Sequence, residues 1–219
     1  MSRETVEPHR EVIDAETASV LHILSEIPSV SGFYLAGGTA AALQLGHRQS
    51  LDLDLFTERP WSTARVLGDL AARGSMVIDR QEEGTLVGEF DGVRVSLFWY
   101  EALLLAEPVD AGLGVPLASL LDIGCMKLIA ISQRGSRKDF IDLYHLAAAG
   151  VTVRDIVRAL PVKYPGVRYN VVHLLRSLAY FDDAESEPEP VMLVPHDWGL
   201  VRTYAIAEST ALLAEIAPV

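Results

Sequence analysis

Leucine and aspartate alternate strictly from Leu51 to Phe56, with Leu51, Leu53 and Leu55 set against Asp52 and Asp54. That period of two predicts a strand with one apolar and one acidic face. Upstream, Asp14 precedes an apolar-periodic run (Val20, Leu21, Leu24, Ile27) that stops at Pro28, the pattern of a capped helix. Phe33–Ala36 reads as a short strand running into Gly37-Gly38. Thr39–Leu45 reads as a helix closed by a C′ glycine at Gly46. Thr63–Arg73 fits a helix ended by Gly74, and Met76–Asp79, Thr85–Phe90 and Val93–Tyr100 fit strands. Asp91-Gly92 joins the last two as a hairpin turn.

From Pro116 the period changes to that of helices. Leu117–Gln133 is predicted as one, punctuated by Gly135. Ser136–Ala149 follows, with Ser136 and Asp139 spaced as a capping box, and Thr152–Leu160 repeats the device with Asp155. Val167–Phe181 and Trp198–Ile216 are further amphipathic helices, separated by an acidic, Pro-rich loop at Asp182–Pro195. The pattern is an α/β half of about 110 residues followed by a helical half, without internal repeats.

Composition narrows the class. Half of the 219 residues are hydrophobic, enough for a core, and no apolar stretch could span a bilayer. Met1–Arg10 is polar and charged, so no secretory signal is expected, and a cytoplasmic protein without membrane contact is. Cys125, the single cysteine, rules out an internal disulfide and a cysteine-built zinc site. The net charge of −12 speaks against coating nucleic acid by charge alone. Its distribution is uneven: residues 117–181 carry 9 basic and 4 acidic groups, whereas the segments before and after are strongly acidic. That basic stretch is either surface decoration or a functional patch.

The acidic strand carries the candidate chemistry. Asp52 and Asp54, two residues apart on a strand, leave the same face. Two adjacent carboxylates repel unless a cation or solvent screens them. Mg²⁺ is commonly held by one or two carboxylates plus substrate phosphates, so the pair suits it, with Mn²⁺ a possible substitute. A solvated polar face of an interaction protein is the plain alternative. Gly37-Gly38-Thr39, between a strand and a helix, lets the backbone approach a phosphate while helix N–H groups point at it, with the Thr39 hydroxyl as a further donor. An ordinary β–α turn with Thr39 as N-cap is the alternative. The turn is neither a Walker A loop nor a dinucleotide fingerprint. Between turn helix and acidic strand lie His47, Arg48 and Ser50: Arg48 could neutralise phosphate and Ser50 could orient an aspartate. Lys127 sits in a strongly apolar helix and needs either a partner or a route to solvent. Asp139, Asp142 and His145 line up at i+3 spacing, as site residues or as solvated ones.

The run AGGTAAALQLGHRQSLDLDLF resembles the signature of the AbiEii/AbiGii-type toxin nucleotidyltransferases, members of the DNA polymerase β-like nucleotidyltransferase superfamily. KLIAISQRGSRKDFIDLYHL resembles that family's later motif, a Lys-bearing helix followed by a K/R-D-[FY]-x-D-L segment. The tail from about residue 150 matches no motif. The resemblance implies an α+β fold: a nucleotidyltransferase-like mixed β-sheet with flanking helices over residues 1–115, then a helical domain over 116–219. It implies an Mg²⁺-dependent enzyme moving a nucleotide from an NTP to an acceptor, an RNA end such as tRNA or a protein hydroxyl. A cognate antitoxin is the implied partner. By the same resemblance Gly37, Gly38 and Thr39 contact the triphosphate, with Arg48 and Ser50 beside it, and Asp52 and Asp54 hold the metal. Lys127 meets a phosphate or the nucleotide, and Asp139 or Asp142 completes the later motif. One departure stands out. The superfamily often has a third carboxylate on a later strand, and the matching position here is Ser96, with Glu89 and Glu101 as possible substitutes. A catalytically weakened nucleotide- and metal-binding module is therefore the competing reading.

Overall fold

The structure is a computed structural model that describes residues 5–216; Met1–Glu4, part of the segment read for a leader, lie outside the described residues. Asp14 caps the first helix, α1 (Ala15–Ser25), its carboxylate accepting from Thr17 N at 2.8 Å. A two-residue strand β1 (Tyr34–Leu35), shorter than predicted, then leads into α2 (Gly37–Leu45). Both glycines of the turn thus belong to the first turn of the helix, and Gly46 closes it in the left-handed region at φ 66°. The acidic strand β2 spans Leu53–Thr57. It begins later than the alternation suggested, because Leu51 finds no apolar surface and stays exposed. Helix α3 (Thr63–Ala71), capped by Ser62, precedes strands β3 (Met76–Glu82), β4 (Thr85–Phe90) and β5 (Val93–Trp99). Asp91 (φ 47°) and Gly92 (φ 83°) both take left-handed conformations, as a tight hairpin turn between β4 and β5 requires.

The five-stranded sheet has the order β1-β2-β5-β4-β3 and is mixed: β2 runs parallel to β5 and every other pair is antiparallel. Parallel pairing puts Asp54 directly beside Ser96 and Phe56 beside Phe98. Strand β3 is longer than predicted and carries a bulge between Ile78 and Arg80, with Asp79 as the extra residue. Gly88 of β4 makes room for it, since a Cβ there would lie 2.1 Å from Val77 O.

The helical half follows as α4 (Leu120–Arg134), α5 (Arg137–Ala148), α6 (Val153–Lys163), α7 (Val171–Ser177), α8 (Asp182–Ser186) and α9 (Trp198–Ile216). Four predictions need correcting. Helix α4 starts at Leu120, not Leu117: the chain before it stays extended beside β1, with Leu35 N donating to Pro116 O and Ala118 N to Leu35 O. Ser136 forms no capping box with Asp139; its hydroxyl donates to Glu187, which also accepts from Arg137 N at 2.9 Å. Helix α7 covers only part of Val167–Phe181, because Asn170 caps it late by accepting from His173 N. The acidic loop at 182–195 contains α8 and a strap whose Val191 and Leu193 bond the backbone of Gln49 and His47. The second capping box, Thr152 with Asp155, is present.

Two clusters of buried apolar side chains result. One packs the sheet against α1 and α2 and takes in Leu117, Ile123 and Leu146; the other fills the space between α4, α5, α6, α7 and α9. Burying such side chains contributes about 1.5–3 kcal/mol each relative to exposure. Among the described residues no helix is long and apolar enough to cross a membrane.

Candidate active site

The glycine turn, the acidic strand and the Lys-bearing helix meet around one cavity of about 390 Å³. Its floor is the face of β2 and β5 that carries Asp54, Phe56, Ser96 and Phe98; Gly37, Gly38 and Thr39 form one wall, and α4 and α5 form another with Met126, Lys127, Arg134, Lys138 and Asp139. Gly37 takes φ 68° and lies so close to the acid pair that a Cβ on it would stand 3.0 Å from Asp54 Oδ2. Any other residue there would be strained and would crowd the carboxylate. A Cβ on Gly38 would meet Arg48 Nη2 at 2.6 Å and Ser50 Oγ at 3.2 Å. The bare backbone of the turn is therefore a condition for the loop of Arg48 and Ser50 to pack behind it.

Asp52 and Asp54 differ in environment. Asp52 is half-exposed at the cavity rim, with Lys138 Nζ 3.9 Å away. Asp54 lies deeper, and burial pushes its carboxyl above the ordinary carboxylate value. Asp52 pushes in the same direction; the Ser96 hydrogen bond, Lys127 and Lys138 pull against them. A carboxylate held in that state gains from a cation. The donor set, two carboxylates on one face, fits a divalent ion that fills its remaining positions with water and phosphate oxygens. Among the described residues no group of three or more His, Cys, Asp or Glu side chains is arranged to hold an ion by itself.

Thr39 is buried and its hydroxyl lies 2.5 Å from the Asp52 carbonyl and 2.9 Å from Ser50 Oγ. Its proton is committed inside the protein, so what Thr39 can offer a phosphate is its backbone N–H. The bond instead fixes the start of β2 to the glycine helix, and with it the place of Asp52. Ser50 shares that arrangement.

Behind the cavity is an ion network that sequence spacing did not reveal. Asp142, fully buried, accepts from His47 Nε2 at 2.8 Å, from Arg48 Nε at 2.7 Å and Nη2 at 2.8 Å, and lies 2.5 Å from Lys127 Nζ. Lys127 also donates to Asp139 at 2.7 Å, and Asp139 accepts from Arg134 Nε at 3.1 Å. Burial alone would lower the Lys127 ammonium; Asp142 and Asp139 outweigh it, and the pKa is raised. Burial alone would raise the Asp142 carboxyl, yet Lys127, Arg48 and the His47 hydrogen bond hold it well below the usual range. Lys127 therefore reaches no solvent by snorkelling, and Asp142 is not solvated. Arg48 is a buried clamp on Asp142 that borders the cavity, not a free phosphate ligand. His145 packs against His47 with ring centroids 4.7 Å apart and the rings tilted by 34°, and takes no part in the cavity lining. Glu89 and Glu101 line none of it either, leaving Ser96 as the group beside Asp54. Arg94, Arg134 and Lys138 are lining residues that spacing missed; the excess of basic groups over 117–181 was the one signal for the last two.

A family model described as the nucleotidyl transferase AbiEii toxin of a type IV toxin–antitoxin system matches residues 100–200. That span contains Lys127, Asp139 and Asp142 but not the glycine turn or the acid pair. Over 159 residues the chain is 37% identical to aq_aa25 of Aquifex aeolicus (strain VF5), a protein without an assigned activity, covering 71% of this chain and 76% of that one. The chain belongs to the AbiEii nucleotidyl transferase toxin family. Nucleotidyl transfer and a toxin role come with that family. Among solved structures the chain resembles MenT4, a nucleotidyltransferase toxin of Mycobacterium tuberculosis H37Rv, with a TM-score of 0.58 and 16% identity over 91% of this chain and 86% of that one. At that identity the likeness is one of fold, which is the α+β nucleotidyltransferase toxin fold. A likeness to Megavirus polyadenylate synthase, with a TM-score of 0.40 and 14% identity over 71% of this chain and 33% of that one, is too loose to carry weight.

Proposed function

We propose that this AbiEii-family chain moves a nucleotide from an NTP to an acceptor hydroxyl on RNA, with tRNA as the first acceptor to test, and acts as the toxin of a pair with a cognate antitoxin. The observation that carries the reading is the closeness of Gly37 to Asp54: an anion cradle and an acid pair share one cavity. The backbone N–H groups of Gly38 and Thr39 hold the phosphate tail, helped by the positive end of α2. Asp52 and Asp54 hold Mg²⁺, or Mn²⁺ in its place, and bound metal supplies charge neutralisation at the phosphate oxygens. Lys127 faces the cavity from α4 as the buried cation that balances the phosphates, kept in register by Asp139 and Asp142. The acceptor oxygen bonds to the α-phosphorus while the bond to the bridging oxygen breaks, and pyrophosphate leaves. With serine at position 96, the hydroxyl proton passes to Asp54 or to water. We assign the cavity-bearing sheet with α1, α2 and α3 to an α/β domain of residues 1–115 and α4 to α9 to a helical domain of 116–219, in a cytoplasmic protein.

The test is incubation with each labelled NTP, Mg²⁺ and total tRNA. Transfer that disappears in Asp54→Ala is expected; label on no acceptor with any NTP would remove the reading. Ser96 beside Asp54 favours one alternative, a module that binds NTP·Mg²⁺ without turning it over. Saturable NTP binding in the absence of any product would select it.

A further inference from the structure

Arg94 is the cavity-lining cation that comes from the sheet itself, and its placement is unusual. Continuing the register of β2 and β5 by one step sets Asp52 beside Arg94, just as Asp54 lies beside Ser96. An arginine next to a half-exposed carboxylate would ordinarily fold onto it. Arg94 instead pairs with Asp79 of β3, which lies two strands from β5 on the side away from β2. Asp79 reaches it because it is the extra residue of the β3 bulge, and bulges re-aim side chains. The bulge depends on Gly88 lacking a side chain, since a Cβ there would run into Val77 O. The result is a guanidinium, 45% exposed, held at the mouth of the cavity and off Asp52.

Sheet order says which substrate meets it. The glycine turn follows β1, on one side of β2; Arg94 and Ser96 lie on β5, on the other. In-line displacement at phosphorus puts the attacking oxygen opposite the leaving group. With pyrophosphate on the glycine side, the acceptor enters over β5. Resting on the proposed nucleotidyl transfer, we infer that Arg94, positioned by Asp79, contacts a backbone phosphate of a nucleic-acid acceptor next to the reacting hydroxyl. A protein hydroxyl would need no such cation. The other exposed cations at the rim, Arg134 and Lys138, and the absence of any acid from Ile156 to Phe181 favour a polyanion in a chain that is otherwise acidic.

The experiment measures two affinities in wild type, Arg94→Ala, Arg94→Lys and Asp79→Asn. A short fluorescein-labelled single-stranded oligoribonucleotide is followed by anisotropy across a salt series, and an NTP with Mn²⁺ by calorimetry. Expected for Arg94→Ala is oligonucleotide binding weakened about tenfold, with the salt slope reduced by about 0.7, one phosphate's worth on a single strand. Arg94→Lys recovers part of the affinity, and Asp79→Asn gives an intermediate loss. NTP binding changes less than about twofold in Arg94→Ala. Oligonucleotide binding that Arg94→Ala leaves intact, an equal loss of NTP and oligonucleotide, or labelling of protein by a wild type that binds no oligonucleotide would each overturn the inference. Absence of NTP binding in wild type would instead count against the proposed transfer, while the anisotropy series still scores Arg94.

Discussion

Replacing Asp142 by asparagine keeps the shape of the side chain and removes its charge, which isolates what the buried carboxylate does. In the folded chain it faces Arg48 through two hydrogen bonds, Lys127 at 2.5 Å and His47 at 2.8 Å, all out of water. Asparagine can accept with one oxygen only, and its NH₂ would point at a cation. Lys127 keeps Asp139, but Arg48 loses one of its two bonds to this side chain and its ionised partner, keeping otherwise the Gln49 carbonyl. Breaking a buried ion pair by removing one partner costs roughly 3–5 kcal/mol, because the stranded charge remains desolvated. Against a typical domain stability of about 5–15 kcal/mol, that is a large share. Urea unfolding followed by far-UV dichroism is the assay. With a slope of about 2 kcal/mol per molar, the midpoint should fall by about 2 M. Removing the cation instead, in Lys127→Met, should cost less, since Asp142 retains Arg48 and His47. A loss below about 1 kcal/mol in Asp142→Asn, or a larger loss in Lys127→Met, would refute the assignment of Asp142 as the hub that organises the site.

Gly37→Ala places a Cβ in the left-handed region and 3.0 Å from Asp54 Oδ2; about 1 kcal/mol of stability and a larger share of Mn²⁺ affinity should be lost, read by denaturation and by calorimetry. Equal metal affinity in that variant would separate the turn from the acid pair. Burial, with His47 and His196 nearby, pushes His145 down from 6.5 to about 4. The unfolded chain therefore takes that proton more readily, and the stability tied to neutral His145 is complete above pH 6.5 and lost as pH falls toward 4. Allowing for its partial exposure, the loss is about 2 kcal/mol, and His145→Gln should flatten the midpoint-versus-pH curve in that window. Burial also raises Asp54, so divalent-ion affinity should decline with acidification sooner than an ordinary aspartate predicts, an effect that Asp54→Asn abolishes together with binding. Glu187→Gln removes the charged cap of α5 and should cost about 1 kcal/mol in urea unfolding; no change would mean that Ser136 caps the helix unaided.

What was legible in the chain and what was not divides by the range of the interactions involved. Asp52 and Asp54 could be placed on one face because alternation is a local property, and the Asp91-Gly92 turn and the limits of α9 are local too. The cap of α5 is not encoded beside it, because Glu187, 51 residues from Ser136, supplies it. Helix α4 is shorter than its apolar period because Leu117 bridges Leu35, a pairing that its own neighbours do not encode. The same limit governs the site. Asp139 and Asp142 are one helical turn apart, so any window over α5 shows two acids at ordinary surface spacing. Their burial depends on Arg48, 94 residues earlier, and on Lys127 from the preceding helix. A chain can therefore display the acids proposed to grip the metal as a motif, while the groups that hold them stay hidden until the loop of Arg48 is folded against α5. It follows that substitutions around Arg48, His47 and Asp142 should act on stability and on the cavity together, whereas those at exposed Asp52 should leave folding alone.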